Sequence, residues 1–373
     1  MYTYNNKKII ESSNSSSFSV EENKLSYIKD EKVFVEENNV LVFEFYFEKL
    51  NSVRLINEML FLFDEVNNLH LFNTINYLPI NLGLGNDIKV LRHQNFYQKN
   101  WIVFKELSLF QNILGLKNSE TKACFLREDF YPEVIFKEFV FGGSYLKKIL
   151  KYHIKNGDLI WQTDISQIGK YVPFLEKDEK LREVDKFIGI YKEELIVLLT
   201  GGKFIGIATE TGTINWEQSK VAINQTSNCF DYNFSEPYHP FLDEEKGIIY
   251  ILQGEVFIEF DLNTKEAAYT WTSLELATEN YVFIRQSRLV NNKILFSAYR
   301  NGNEGNDDTV GVFDIIKKEI VWKYTFNFEK DNFILNSQDN IQMNENSIFV
   351  LDRKSNLHIF EKEKVINLKA SSE

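Results

Sequence analysis

The chain has 373 residues, 44% of them hydrophobic, with 32 Phe and 18 Tyr but only 5 Pro. Aromatic side chains suit a pleated, half-buried surface, and scarce Pro leaves few segments barred from the middle of a sheet. The formal net charge of −12 argues against nucleic acid and anionic membranes, which attract Lys and Arg, and fits a basic protein partner.

The chain opens MYTYNNKKIIESSNSSSFSVEEN, with no apolar stretch of signal-peptide length. Nothing later approaches the ~18 apolar residues that span a membrane. A cytoplasmic protein is therefore expected. Residues 11–17, rich in Ser, read as a linker or an exposed turn. From Val33 to Phe43, VFVEENNVLVF gives strand, turn and strand, and MLFLFDEVNNLHLF from Met59 to Phe72 does so again. The aromatics Phe43, Phe72 and Trp101 are spaced by 29 and 29 residues, as half-blades or two hairpins per blade would place them. Residues 1–130 thus alternate strands and turns without a clean register.

Beyond residue 130 a repeat emerges. Trp161, Trp216, Trp271 and Trp322 follow at intervals of 55, 55 and 51 residues, and Trp101 extends the series 60 residues earlier. Periods near 40–50 residues are those of propeller blades. The segments YHIKNGDLIW, IATETGTINW, FDLNTKEAAY and FDIIKKEIVW share a plan. An apolar residue precedes an acid (Asp261, Asp314), a turn residue follows (Gly157, Gly212), and an aromatic lies beyond (Trp161, Trp216, Tyr269 with Trp271, Trp322). Gly accepts positive φ at the reversal. The Asp carboxylate accepts hydrogen bonds from the turn amides ahead of it. The aromatic fills the gap to the next blade. Lys265 and Lys318 stand at the Gly position and point to a different turn type there. Strands ELIVLLT, IIYILQ and KILFSAYR precede the hairpins, and SIFVLDRKSNLHIFEKEKVINL repeats the pattern from Ser347. The mixed-charge segment from Tyr171 to Phe187 fits a short helix or a connecting loop, and Gly142–Gly143 and Gly201–Gly202 read as turns. A strand from the N-terminal region should complete the sheet that holds Leu357–Phe360, since closure removes a free edge.

Thr211-Gly212 with Trp216, Asn156-Gly157 with Trp161, and the Phe-Asp pairs at 260–261 and 313–314 carry a resemblance. Over residues 130–365 the unit resembles the quinoprotein-like propeller repeat, where a Thr-Gly turn is followed four residues later by Trp. The resemblance implies an all-β propeller of four-stranded antiparallel blades in a single domain, residues 1–373. At about 50 residues per blade the length favours seven, with six or eight left open. Some members of that superfamily are exported dehydrogenases that bind pyrroloquinoline quinone and calcium and carry an adjacent cysteine pair. Here Cys124 and Cys229 lie far apart, so no cofactor is expected. The Gly-His and Trp-Asp dipeptides of WD-repeat proteins are absent.

No catalytic, metal or phosphate-binding motif appears. His70, His93, His153, His239 and His358 form neither H-x-H nor H-E-x-x-H. His153 and His358 fall within hairpins and read as structural. Two polar stretches are the candidate partner-binding loops. One is RNGNEGNDD, with Arg300, Asn303, Glu304, Asp307 and Asp308. The other is the irregular stretch around EPYHP, with Asp231, Tyr232, Glu236 and His239. Loops carry function while a rigid scaffold holds them. The sequence therefore points to a non-catalytic protein-binding propeller, monomeric on its own. By analogy it fits a bacterial immunity protein that neutralises a basic toxin. The alternatives are a hydrolase or lyase with a central-pocket site, or a scaffold with several partners.

Overall fold

The computed structural model describes residues 4–11, 17–56, 58–65, 69–80, 89–90, 101–105, 111–115, 130–144, 147–173, 176–225, 228–233, 240–253, 256–271, 281–300, 307–327, 334 and 340–362. Among these residues there is no α-helix. Among the described residues the strands form antiparallel sheets of three or four strands over 18–46, 50–73, 89–115, 130–164 and 184–218, an eight-stranded sheet over 241–325, a last group over 341–362, and two-stranded hairpins within 170–181 and 220–233. Tyr4–Ile10 pairs antiparallel with Leu357–Lys362 and completes the last group. The N-terminal strand thus closes the C-terminal sheet, as the edge argument requires.

Turn chemistry explains the hairpins. Asp30-Glu31, Asn38-Asn39, Lys192-Glu193 and Asn291-Asn292 are two-residue reversals with positive φ at both positions, between 46° and 65°. Such turns match the twist of the flanking strands. Gly201 and Gly202 do the same at 73° and 72°. Gly142 and Gly143 correct the turn reading, because both lie inside the strand Phe139–Ser144. A Cβ on Gly142 would stand 1.9 Å from the Tyr131 carbonyl oxygen, so the strand needs glycine for close approach.

A five-residue turn recurs between third and fourth strands. Gly157, Gly212, Lys265 and Lys318 donate their N–H to the carbonyls of His153, Ala208, Asp261 and Asp314, at 2.8–2.9 Å. Their φ values are 71°, 76°, 62° and 57°. The two lysines therefore occupy the same left-handed turn as the glycines, which corrects the expectation of a different turn type. The Asp carboxylates act as expected: Asp261 Oδ1 accepts from the Asn263 amide at 2.7 Å, and Asp314 Oδ1 from the Ile316 and Lys317 amides at 3.0 Å each.

The Tyr171–Phe187 segment is neither helix nor plain loop. It holds a small hairpin, Lys170–Tyr171 against Lys180–Leu181, and then the strand Val184–Tyr191. The 29-residue spacing marks no repeat. Phe43 lies on a fourth strand, Phe72 on a third, and Trp101 between two other strands of its own group.

The chain divides into two compact units, Met1–Arg54 with Gln253–Glu255 and Trp271–Glu373, and Leu55–Leu252 with Val256–Thr270. In the first, Leu295, Val312, Phe326, Ile348 and Phe360 form one core and Phe18, Leu25, Phe349 and Ile359 another. In the second, Phe141, Ile149, Trp161, Val197 and Ile205 pack together, as do Ile196, Phe204, Ile249, Ile258 and Phe260.

Candidate functional site

The repeat residues are architectural. Trp161 is buried, donates its Nε1–H to the Thr209 carbonyl at 2.9 Å, and lies against the next repeat's turn, where a Cβ on Gly212 would meet its ring at 2.8 Å. Lys151 donates to the same carbonyl at 2.8 Å with its Nζ 3.7 Å from the Phe139 ring centre. Burial lowers the pKa of that ammonium, against the pull of Glu210 and Glu193. Trp216 repeats the plan. It donates to Glu194 at 2.8 Å, and Lys265 of the next turn sets its Nζ 3.9 Å from the indole centre. Trp322 packs edge-on against Phe360, at 5.4 Å between centres. Tyr269 packs on the core around Phe260, and the backbone of Trp271 ends the strand Ala267–Trp271.

The predicted contact loops fare differently. Asp307 and Asp308 correct the solvent-loop reading: both are 1% exposed. A buried carboxylate must be hydrogen-bonded. Ser297 Oγ donates to Asp307 and Thr309 Oγ1 to Asp308, while their carbonyls accept from the Ile334 and Phe326 amides. They fasten the strand Thr309–Asp314 in place. Arg300 ends the strand Lys293–Arg300, and Asn303 and Glu304 lie outside the described residues. Asp231 and Tyr232 are not in an irregular stretch either. They pair with Ala222 and Val221 in the hairpin of Lys220–Gln225 with Asn228–Asn233. Glu236 and His239 lie outside the described residues.

Two of the histidines serve turns. His153 Nδ1 accepts from the Lys155 amide at 3.1 Å, and buried His358 sets its Nε2 2.8 Å from Asp352. Burial alone would raise the Asp352 pKa, but bonds from His358 and Asn356 outweigh it and hold the carboxyl below its usual range. Among the described residues, no three His, Cys, Asp or Glu side chains gather as metal ligands.

Two features went unread in the sequence. The first is the exposure of the strand Val40–Tyr46, VLVFEFY, whose start the sequence does mark as strand. This strand is the fourth of its group and ends its sheet among the described residues. Val40 is 62% exposed, Leu41 49%, Val42 42%, Phe45 42% and Tyr46 57%. Contiguous apolar surface on a sheet edge marks an interaction site or an aggregation hazard. Phe43 and Phe45 stack along the strand at 6.1 Å, and Lys32 bridges to Glu44 at 2.6 Å. The signal was present: apolar residues fill both alternations of a strand that follows an Asn-Asn turn.

The second is Glu133, at a register shift in the first strand of its group, Phe130–Phe136. Burial pushes its carboxyl up to about 7, and no hydrogen bond reaches it among the described residues. Perturbed carboxyls mark functional sites often enough to register.

No protein-family model matches the sequence, and no curated protein matches it. Among solved structures, the C-terminal WD40 domain of Sif2 is similar, with a TM-score of 0.56 and 12% identity over 95% of this chain and 97% of that one. The computationally designed Ika8 protein also gives 0.56, with 10% identity over 94% and 97%. BamB from Moraxella catarrhalis, at 10% identity over 97% of this chain and 100% of that one, reaches only 0.40 and carries no weight. WD40 domains are propellers of four-stranded blades. The chain therefore has an all-β propeller fold with four-stranded antiparallel blades. Identities this low fix the fold and nothing beyond it.

Proposed function

We propose that the chain is a non-catalytic, protein-binding propeller, one domain over residues 1–373, with Val40–Tyr46 as a contact surface. The observation that carries this reading is the exposed apolar strand, where five apolar residues stand more than 40% exposed. A monomer in water gains nothing from such an edge, and a partner that covers it gains apolar burial of about 25 cal/mol per Å². The net charge of −12 favours a basic partner through steering. A basic toxin neutralised in the bacterial cytoplasm is the finer form of the reading, and the quinoprotein-like repeat supplies its scaffold without the cofactor.

The test pairs Val40→Lys with Val42→Lys in the full chain. Native pull-down should lose its partner while the melting temperature holds within a few degrees. A partner retained by the double variant would place contact elsewhere.

Glu133 favours a second reading, an acid–base enzyme, since a carboxyl near 7 can exchange protons at neutral pH. Thermal shift against metals, sugars and esters separates the two. A ligand whose stabilisation disappears in Glu133→Gln would support the enzyme.

A further inference from the structure

We infer that the partner adds to Val40–Tyr46 as a further β-strand, and that this strand is basic. The inference rests on the protein-binding reading and specifies its mode.

The first support is backbone geometry. Val40–Tyr46 pairs on one side only among the described residues, with Lys32–Glu37. The Phe47 amide donates inward to the Glu31 carbonyl at 2.9 Å. Amides alternate direction along an antiparallel strand. Those of Tyr46 and Glu44 therefore point away from the sheet, toward whatever lies alongside. An extended peptide satisfies such groups by strand addition, and side chains at alternate positions give it specificity. The seven residues offer an edge of roughly 23 Å, at about 3.3 Å per residue.

The second support is charge. Glu44 stands on the strand itself. Glu31 accepts a hydrogen bond from the Tyr46 hydroxyl at 3.1 Å. That bond, with Glu31 and Glu48 nearby, raises the phenol's pKa. Asn39, in the turn that leads in, donates to Glu361 at 2.9 Å. Lys32 answers Glu44 alone. An apolar strand ringed by carboxylates selects alternating apolar and cationic residues. A second copy of this chain is disfavoured. Self-pairing would set Glu31, Glu44 and Glu48 against their own kind and bring −12 against −12.

The test titrates the full chain with a seven-residue peptide of alternating Lys and Val. Binding should weaken with salt and slow amide hydrogen exchange at 44 and 46. A Glu–Val peptide tests charge, a Lys–Ser peptide tests apolar contact, and a Lys–Val peptide with two central prolines tests backbone pairing. Each should bind at least about tenfold more weakly, roughly the cost of one lost charge-assisted bond. Glu44→Pro removes an outward amide at an edge where Pro is tolerated. It should also weaken binding about tenfold, with the melting temperature within a few degrees. Glu44→Lys should do the same without touching the backbone.

Equal binding by Glu44→Pro, protection located elsewhere, or a dimer that buries the strand would overturn strand addition. If Glu44→Pro still captures the native partner in full while Val40→Lys/Val42→Lys does not, the contact surface stands and its mode is wrong. If neither variant affects capture, the strand is not the surface.

Discussion

The strands Ile214–Gln218 and Val40–Tyr46 are both fourth strands, and both shift register just before an aromatic, Trp216 in one and Phe43 in the other. The same bulged backbone carries two different surfaces. Along Ile214–Gln218 half-buried and exposed residues alternate, the indole is tied to Glu194, and Lys265 covers its face. Along Val40–Tyr46 six of seven residues are exposed and most are apolar. The blade plan thus fixes where a fourth strand runs. Its side chains decide whether the edge is covered or left exposed.

The largest effect should come from breaking a finished edge. Trp161→Ala removes a buried indole and leaves the Thr209 carbonyl with Lys151 as its donor. Urea denaturation should show a loss of about 3–5 kcal/mol. Phe43→Ala, at the matching bulge position, should cost about 1–2 kcal/mol, since its ring is only half-buried and less area returns to water. Equal losses would erase the distinction between the two edges.

A bulge on a first strand does something else. At the Pro132–Val134 irregularity, Glu133 is half-buried and desolvation raises its carboxyl to about 7 from 4.5. The fold therefore favours the protonated form. That contribution is complete below pH ~4.5 and is lost as pH rises through about 7. Glu133→Gln keeps the shape and drops the charge. At pH 8 it should be more stable than the parent by about 1–3 kcal/mol, and the advantage should vanish at pH 4. A difference that stays constant with pH would mean the carboxyl is solvated.

Much of the scaffold was legible because short-range rules dictate it. The Trp spacing, the Asp261 and Asp314 turns and the pairing of Tyr4–Ile10 with Leu357–Lys362 follow from turn chemistry and edge closure. The candidate site was not legible in the same way. Polarity marked Asp307 and Asp308 as loop, but a carboxylate with hydroxyl donors can sit inside, and only packing decides that. Conversely, VFVEENNVLVF from Val33 to Phe43 read as strand, turn and strand, with nothing to mark its second strand as exposed. Exposure on an edge depends on what lies beyond the fourth strand, which no local pattern encodes. The exposed strand also left no trace in the repeat, since Phe43 preserves the aromatic position.

Gly212 tests how tightly the finished edge is fitted. At φ 76° a Cβ is strained, and it would meet the Trp161 ring at 2.8 Å. Gly212→Ala should cost about 1–3 kcal/mol, from the left-handed backbone and the displaced indole together. Suppression of that cost in a Trp161→Ala background, read as a double-mutant cycle, would show that the clash with the ring dominates.

The turn lysine at 265 gives the smallest effect. Lys265 and Lys318 hold the same left-handed conformation, at φ 62° and 57°. Replacing either with Gly relieves about 1 kcal/mol of backbone strain. At Lys265 that relief is set against the ammonium over the Trp216 ring and its bond to the Leu262 carbonyl at 2.6 Å. A cation over indole contributes about 0.5–2 kcal/mol, so Lys265→Gly should be neutral or destabilising. A loss of stability in Lys265→Gly would show that Lys is retained at 265 for the side chain it lays on the neighbouring repeat. A gain would reduce Lys265 to a tolerated substitute, with Trp216 held by Glu194 and by its packing on Phe260.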